Sequence, residues 1–176
     1  MIAYHVDRNK DLHIGQILKL QQNPVIHMLE NSSLNHLNEV SCFGSGVLKK
    51  GRIVPATTED AKIEITETFL EFLRKELFRD KPSRLQSVFA LKHLSDLKLW
   101  SQFLKNEYYV WEIEFNHNHY HYGDASLFTF GEKLEKENAF WYWGGKFNNP
   151  ALPELVIELP VKINRLISQH ELQPYL

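Results

Sequence analysis

Apolar and polar residues alternate along several stretches of the chain. Tyr108 to Phe115 sets Tyr109, Trp111, Ile113 and Phe115 on one side and Glu112 and Glu114 on the other, the period of a half-buried strand. Ile2 to Asp7 reads the same way, with Tyr4 and Val6 on one face and His5 and Asp7 on the other. Glu154 to Leu159 and Val161 to Ile163 are strand-like and split by Pro160, which suits a bulge or a sheet edge. Gln16 to Leu20 is a further short extended piece, entered through an Asp11–Gly15 loop.

Helical spacing governs other segments. Thr57 and Thr58 are hydroxyl caps, and Glu59 and Asp60 suit the positive end of a helix that follows them. Ile65, Phe69, Phe72, Leu73 and Leu77 then recur at helical intervals, and Arg74, Lys75 and Arg79 crowd the far end. The pattern predicts a core-packing helix without a chemical role. Ser95 is expected to cap a second helix inside a Leu94–Leu99 staple, with Trp100, Phe103 and Leu104 buried. Gly131 to Trp143 predicts a third, supported by a Glu132–Lys136 pair and ending in Phe140-Trp141-Tyr142-Trp143 before Gly144-Gly145. From Pro24 to Val40, Asn31-Ser32-Ser33 interrupts a weak helical pattern. Phe43-Gly44-Ser45-Gly46 and Lys49-Lys50-Gly51-Arg52 read as a basic, glycine-punctuated loop, for which a plain turn is a better reading than a phosphate site. Short strands with two or three helices among them define an α+β domain.

Pro82 to Leu91 lies near the middle. It reads as a turn entering a short buried strand, with Ser83, Arg84 and Ser87 at its mouth and a helix close behind. A strand that carries polar groups into a core and hands over to a helix is a usual setting for a binding site.

Composition narrows the class. The chain has 176 residues, 43% hydrophobic and 24% charged, enough for one soluble domain over residues 1–176. A formal charge of −2 argues against binding to nucleic acid through overall charge. The single Cys42 excludes an internal disulfide and a multi-cysteine zinc site, and points to a reducing, cytoplasmic setting. The opening residues lack a signal-peptide pattern, and no apolar run approaches the ~20 residues of a membrane helix.

Two chemistries are weak on these residues. His117, His119 and His121 alternate and would share a strand face, but same-side positions lie roughly 6.5–7 Å apart, too far for one ion to gather all three. A metal-binding protein built on this triplet is therefore the third reading. No Gly-x-Ser-x-Gly elbow is present, and Cys42 reads as a small buried hydrophobe.

Ala3-Tyr4-His5-Val6-Asp7-Arg8, with Leu12 and Gly15, resembles the Tyr-His-x-Thr and Leu-x-x-Gly opening of small ADP-ribosyltransferases of the rifamycin-inactivating and DNA-targeting toxin types. Gln86-Ser87-Val88-Phe89-Ala90-Leu91 resembles their second element, with Phe89 where tyrosine is usual. Tyr109 to Ile113 would be the next strand. Pro153-Glu154-Leu155-Val156-Ile157 with Pro160-Val161 resembles the stretch holding the catalytic glutamate of the DNA-targeting toxins. The whole chain also resembles an uncharacterised bacterial domain family of the same superfamily.

The resemblance implies an ADP-ribosyltransferase-like fold of two small packed β-sheets with flanking helices and an NAD⁺ cleft between the sheets. It implies transfer of ADP-ribose from NAD⁺, or its hydrolysis, to an acceptor that is protein, nucleic acid or small molecule. Breaking the nicotinamide–ribose bond passes through an oxocarbenium-like state that a carboxylate stabilises. Glu154 is the catalytic candidate, with Glu158 on the same face as its rival. His5 would hold ribose hydroxyls or the nicotinamide amide, Phe89 or Tyr142 would stack, and Arg84, with Ser87 beside it, would take the pyrophosphate. The competing reading is a catalytically inactive binding module on the same fold, in which Arg84 pairs with an acid such as Asp80.

Overall fold

Two antiparallel sheets share one apolar core. In the computed structural model all residues are described except 30–31, 52–57, 105–106, 117 and 129–135. The first sheet has the order β1-β6-β9-β2, formed by β1 (Ile2–Asp7), β2 (Ile17–Leu18), β6 (Tyr109–Glu114) and β9 (Val161–Leu166). The second has the order β5-β8-β7, formed by β5 (Ser87–Ala90), β7 (Tyr120–Asp124) and β8 (Pro153–Glu158). A two-stranded pair, β3 (Gln21–Gln22) and β4 (Glu39–Val40), stands apart. The fold is α+β with small antiparallel sheets and flanking helices.

Strand alternation builds the core. Ala3, Trp111, Ile113, Val161 and Ile163 from the first sheet meet Val88, Ala90, Leu155 and Ile157 from the second in one buried cluster. Each fully buried Val, Leu or Ile among them contributes about 1.5–3 kcal/mol relative to leaving it exposed. The sheets are also stitched together where Tyr4 and Leu91 exchange backbone hydrogen bonds of 2.9 and 2.8 Å. Pro160 neither bulges a strand nor marks an edge. It occupies the turn after which the chain leaves β8 for β9 in the other sheet.

The helices are α1 (Cys42–Gly51), α2 (Glu59–Leu77), α3 (Leu97–Trp100), α4 (Lys136–Trp143) and α5 (Gln169–Leu172). α2 begins where expected, with the Thr58 hydroxyl accepting from the Ala61 N–H at 3.3 Å. Of the expected stripe, Leu73 is buried and Phe69 packs half-buried against the core, but the buried face is rotated from the expected one. Ile65, Phe72 and Leu77 are 58%, 44% and 59% exposed, and the inward residues are Ala61, Glu67, Leu70, Glu71 and Leu73. Near Ser95 the chain makes only a 3₁₀ turn at Leu94–Asp96 before α3, and Asp96 accepts from the His93 N–H at 3.2 Å, so the cap lies upstream of Ser95. Trp100, Phe103 and Leu104 are half-buried. The third expected helix is present from Lys136, while Gly131 and Glu132 fall outside the described residues.

The expected glycine-rich loop is helix α1. Ser41 starts it: its hydroxyl accepts from the Gly44 N–H at 3.1 Å and donates to the Leu85 carbonyl at 3.2 Å. The glycine at 44 serves packing, because a Cβ there would strike the Leu85 carbonyl directly. Helical propensity is sacrificed for a close backbone approach. Cys42, at the first helical position, is exposed instead of buried. Among the described residues no helix is long and apolar enough to cross a membrane.

This packing separates two chemically identical substitutions. Gly44→Ala should cost about 1–3 kcal/mol through overpacking against Leu85. Gly46→Ala, which meets nothing within 4 Å, should be neutral or stabilising by up to about 1 kcal/mol. Urea denaturation compares them, and a wild-type midpoint for Gly44→Ala would contradict the close approach of α1 to Leu85.

Candidate functional site

On β8, Leu155 and Ile157 point into the core between the sheets, which turns Glu154 and Val156 toward the helices on the other face. On β5, the same alternation sends Phe89 to the helix side. The space between the sheets, where a cleft was expected, holds the apolar core in its described part. The polar candidates gather on the opposite face, beneath α2 and α4.

Arg84 is their centre. It lies in the 3₁₀ turn Arg84–Gln86 that enters β5 and is 5% exposed. Its Nε donates to Glu67 Oε2 at 2.8 Å and its Nη2 to Glu67 Oε1 at 2.9 Å, a two-pronged grip on α2. Its Nη1 donates to the Tyr142 hydroxyl of α4 and to Oε1 of Glu154 on β8. The Tyr142 hydroxyl in turn donates to the same Glu154 oxygen at 2.7 Å. Phe89, Phe128 and Tyr142 wall the guanidinium, with ring centroids 4.6, 5.0 and 5.2 Å away. Asp80 plays no part here and pairs with Lys81 at 3.2 Å.

Among the described residues one cation faces two carboxylates. Burial works against the Arg84 charge, but Glu154 and Glu67 outweigh it and hold its pKa well above the ordinary value. Burial drives the Glu67 carboxyl upward, and Arg84 offsets this only in part. Burial likewise holds Tyr142 well above the usual phenol range, so its hydroxyl remains a donor. Glu154 takes both of its hydrogen bonds on Oε1, and Oε2 has no partner among the described residues.

A second charged group continues the layer along α2. Burial opposes the Glu71 charge, yet His36 at 2.9 Å and Arg74 at 2.8 Å hold its carboxyl below the usual range. Glu67 and Glu71, absent from the sequence expectations, share the buried face with Leu70. Their signal was the spacing Glu67-Leu70-Glu71-Arg74, one helical stripe ending in a basic residue, set beside a more apolar stripe.

The other candidates are nearby or elsewhere. His5 donates from Nδ1 to the Phe89 carbonyl at 2.7 Å, and burial pushes its pKa down, so it sits neutral behind β5. Ser87 is fully buried and donates to the Ser83 carbonyl at 2.6 Å, bracing the turn. Glu158 is outside the cluster, 3.0 Å from His119 on the surface. His121 turns inward and donates from Nε2 to the Tyr142 carbonyl at 2.9 Å, and His117 lies outside the described residues. No group of His, Cys, Asp and Glu among the described residues is arranged to hold a metal ion. A shallow cleft of about 270 Å³ opens beside His121, lined by Lys81, Tyr120, Tyr122, Trp143, Gly144 and Gly145. Tyr142 links it to the Arg84 cluster, holding His121 through its carbonyl and Glu154 through its hydroxyl.

Residues 3–169 match the family described as "Protein of unknown function (DUF2441)", and the chain belongs to that family. No curated protein matches the chain.

Two predictions test the cluster. Arg84→Met strands two buried carboxylates and should cost about 3–5 kcal/mol. Glu67→Gln leaves one cation facing one carboxylate and should cost clearly less, as read from denaturation midpoints at neutral pH. The second concerns pH. Burial lowers the His121 pKa from 6.5 to about 4, so its contribution is complete above pH 6.5 and is lost as pH falls toward 4. Stability should fall across that window, and His121→Phe should flatten the slope by one proton. An unchanged slope would mean that the ring is not held neutral.

Proposed function

We propose that the domain acts on NAD⁺, transferring ADP-ribose to an acceptor or to water, on an ADP-ribosyltransferase-like fold. The observation that supports this reading is the state of Glu154. Its Oε1 is clamped by a guanidinium and a phenol, and its Oε2 is uncommitted among the described residues. A carboxylate kept beside a cation and aimed by two donors suits the stabilisation of positive charge at an anomeric carbon. The nicotinamide–ribose bond would break with its electron pair leaving on nicotinamide, which departs neutral and needs no general acid. The acceptor's oxygen or nitrogen would then attack the anomeric carbon and release its proton. Phe89 and Phe128, edging the cluster, offer rings for stacking.

A second reading is favoured by one specific observation. Four of the five N–H donors of Arg84 are taken by Glu67, Glu154 and Tyr142, so a two-pronged grip on a pyrophosphate would require giving up a buried partner. That arrangement suits a non-catalytic module in which the cluster holds the fold together.

Calorimetric titration with NAD⁺, followed by nicotinamide release, separates the two. The first reading expects saturable binding and turnover, with Glu154→Gln slowing turnover by roughly 10²–10³-fold while NAD⁺ still binds. Absence of both heat and nicotinamide release at millimolar NAD⁺ would leave the binding-module reading standing.

A further inference from the structure

The cleft beside His121 runs along an open strand edge. β7 is the outer strand of its sheet. At the two ends of its pairing with β8, the Glu158 N–H donates to the His119 carbonyl at 3.1 Å and the Ala125 N–H to the Leu152 carbonyl at 2.9 Å. Residues of that parity face β8, so Tyr120 and Tyr122 turn their N–H and C=O groups to the outer edge. No partner meets these groups among the described residues. The side chains of Tyr120 and Tyr122 pack toward the core between the sheets, and the His121 ring packs on Tyr142 and Trp143 on the other face. A cleft lined by all three residues therefore lies along the main chain itself.

The lining defines what the cleft can hold. His121 is 4% exposed. Its Nε2 carries the proton, because the Tyr142 carbonyl can only accept, and the neutral ring keeps a lone pair on Nδ1 with no partner among the described residues. Lys81, the charged residue of the lining, is already paired with Asp80 at 3.2 Å. Gly144 and Gly145 add no side chains, and a Cβ at Gly145 would meet nothing within 4 Å. Such a lining suits an uncharged, flat group that sets an acceptor beside a donor and has one donor more. Adenine and cytosine have that edge, a ring nitrogen that accepts beside an amino group with two hydrogens. We propose that this cleft binds an amino-bearing nucleobase. Its ring nitrogen accepts from an edge N–H of β7, and its amino group donates to an edge carbonyl and to Nδ1 of His121. At about 270 Å³ the cleft is below the ~300–1,000 Å³ of pockets that enclose drug-sized ligands, so it takes the base and leaves the sugar outside.

Calorimetric titration of the full chain with cytidine and with uridine tests this, with circular dichroism as the control for folding. Cytidine should bind saturably at millimolar concentration and uridine about tenfold more weakly, the worth of one net hydrogen bond. His121→Gln keeps a donor for the Tyr142 carbonyl but lacks the imidazole Nδ1, and should erase that preference. Tyr120→Pro removes an outward N–H at the first residue of β7, where a sheet tolerates proline. It should bind cytidine about tenfold less tightly than Tyr120→Ala, which keeps the N–H. Where His121→Gln fails to fold, the Tyr120 pair decides. Tighter binding of a short single-stranded oligocytidylate than of cytidine would assign the base to a nucleic-acid strand, and equal affinity to a free nucleoside; the base is recognised in either case. No saturable binding of cytidine overturns the proposal, as does uridine bound equally well. So does a preference that survives His121→Gln in a folded protein. Neither nucleoside carries a nicotinamide to release, so the result stands apart from the reading of Glu154.

Discussion

The buried guanidinium of Arg84 binds the layers of this protein to one another. It enters from the turn before β5 and touches α2 through Glu67, α4 through Tyr142 and β8 through Glu154. An ion cluster of this kind contributes little net stability over a well-packed apolar one, because taking the charges out of water costs about what their attraction returns. Its effect lies in selection. α2 carries two stripes able to face the sheet, and the one with Ile65, Phe69 and Phe72 is the more apolar. Burying that stripe would leave Arg84 enclosed without Glu67, a penalty of several kcal/mol. The cation therefore favours the rotation that buries Glu67, the same one that packs Leu70 and Leu73 into the core.

That choice explains where the sequence was legible. β1, β6, β8 and β9 were readable because their apolar residues recur at the period of a strand, as in Trp111, Ile113 and Phe115, whereas β3, β4 and β7 were not. The start of α2 was readable because Thr58 is a local cap. The rotation of α2 was not, since periodicity measures how apolar a stripe is, whereas the deciding partner is a single residue distant in the chain. α1 was hidden for another reason. Gly44 looks like a turn residue until the Leu85 carbonyl is seen against it, and Gly46 meets nothing at all.

The candidate site divides in the same way. Arg84, Phe89, Tyr142 and Glu154 come from separate segments and meet in one cluster, and each stood out in the sequence as a polar or aromatic residue at the edge of an apolar element. Glu67 did not, because an acid within an amphipathic helix ordinarily faces water. The direction of the cluster was equally hidden. Glu154 belongs to the helix side of its sheet because Leu155 and Ile157 claim the other side, and pairing of strands across the whole chain settles which is which.

The division of the cluster along the chain bears on the order of assembly. Glu67 and Arg84 lie seventeen residues apart and can find each other early, as a local event. Tyr142 and Glu154 come from much later segments, 58 and 70 residues beyond Arg84. During synthesis the early half would carry an ion pair with no lid, still hydrated. Only when α4 brings Tyr142 and β8 brings Glu154 is the pair enclosed. The groups that close the cluster around Glu67 and Arg84 thus come from α4 and β8, well after α2 in the chain.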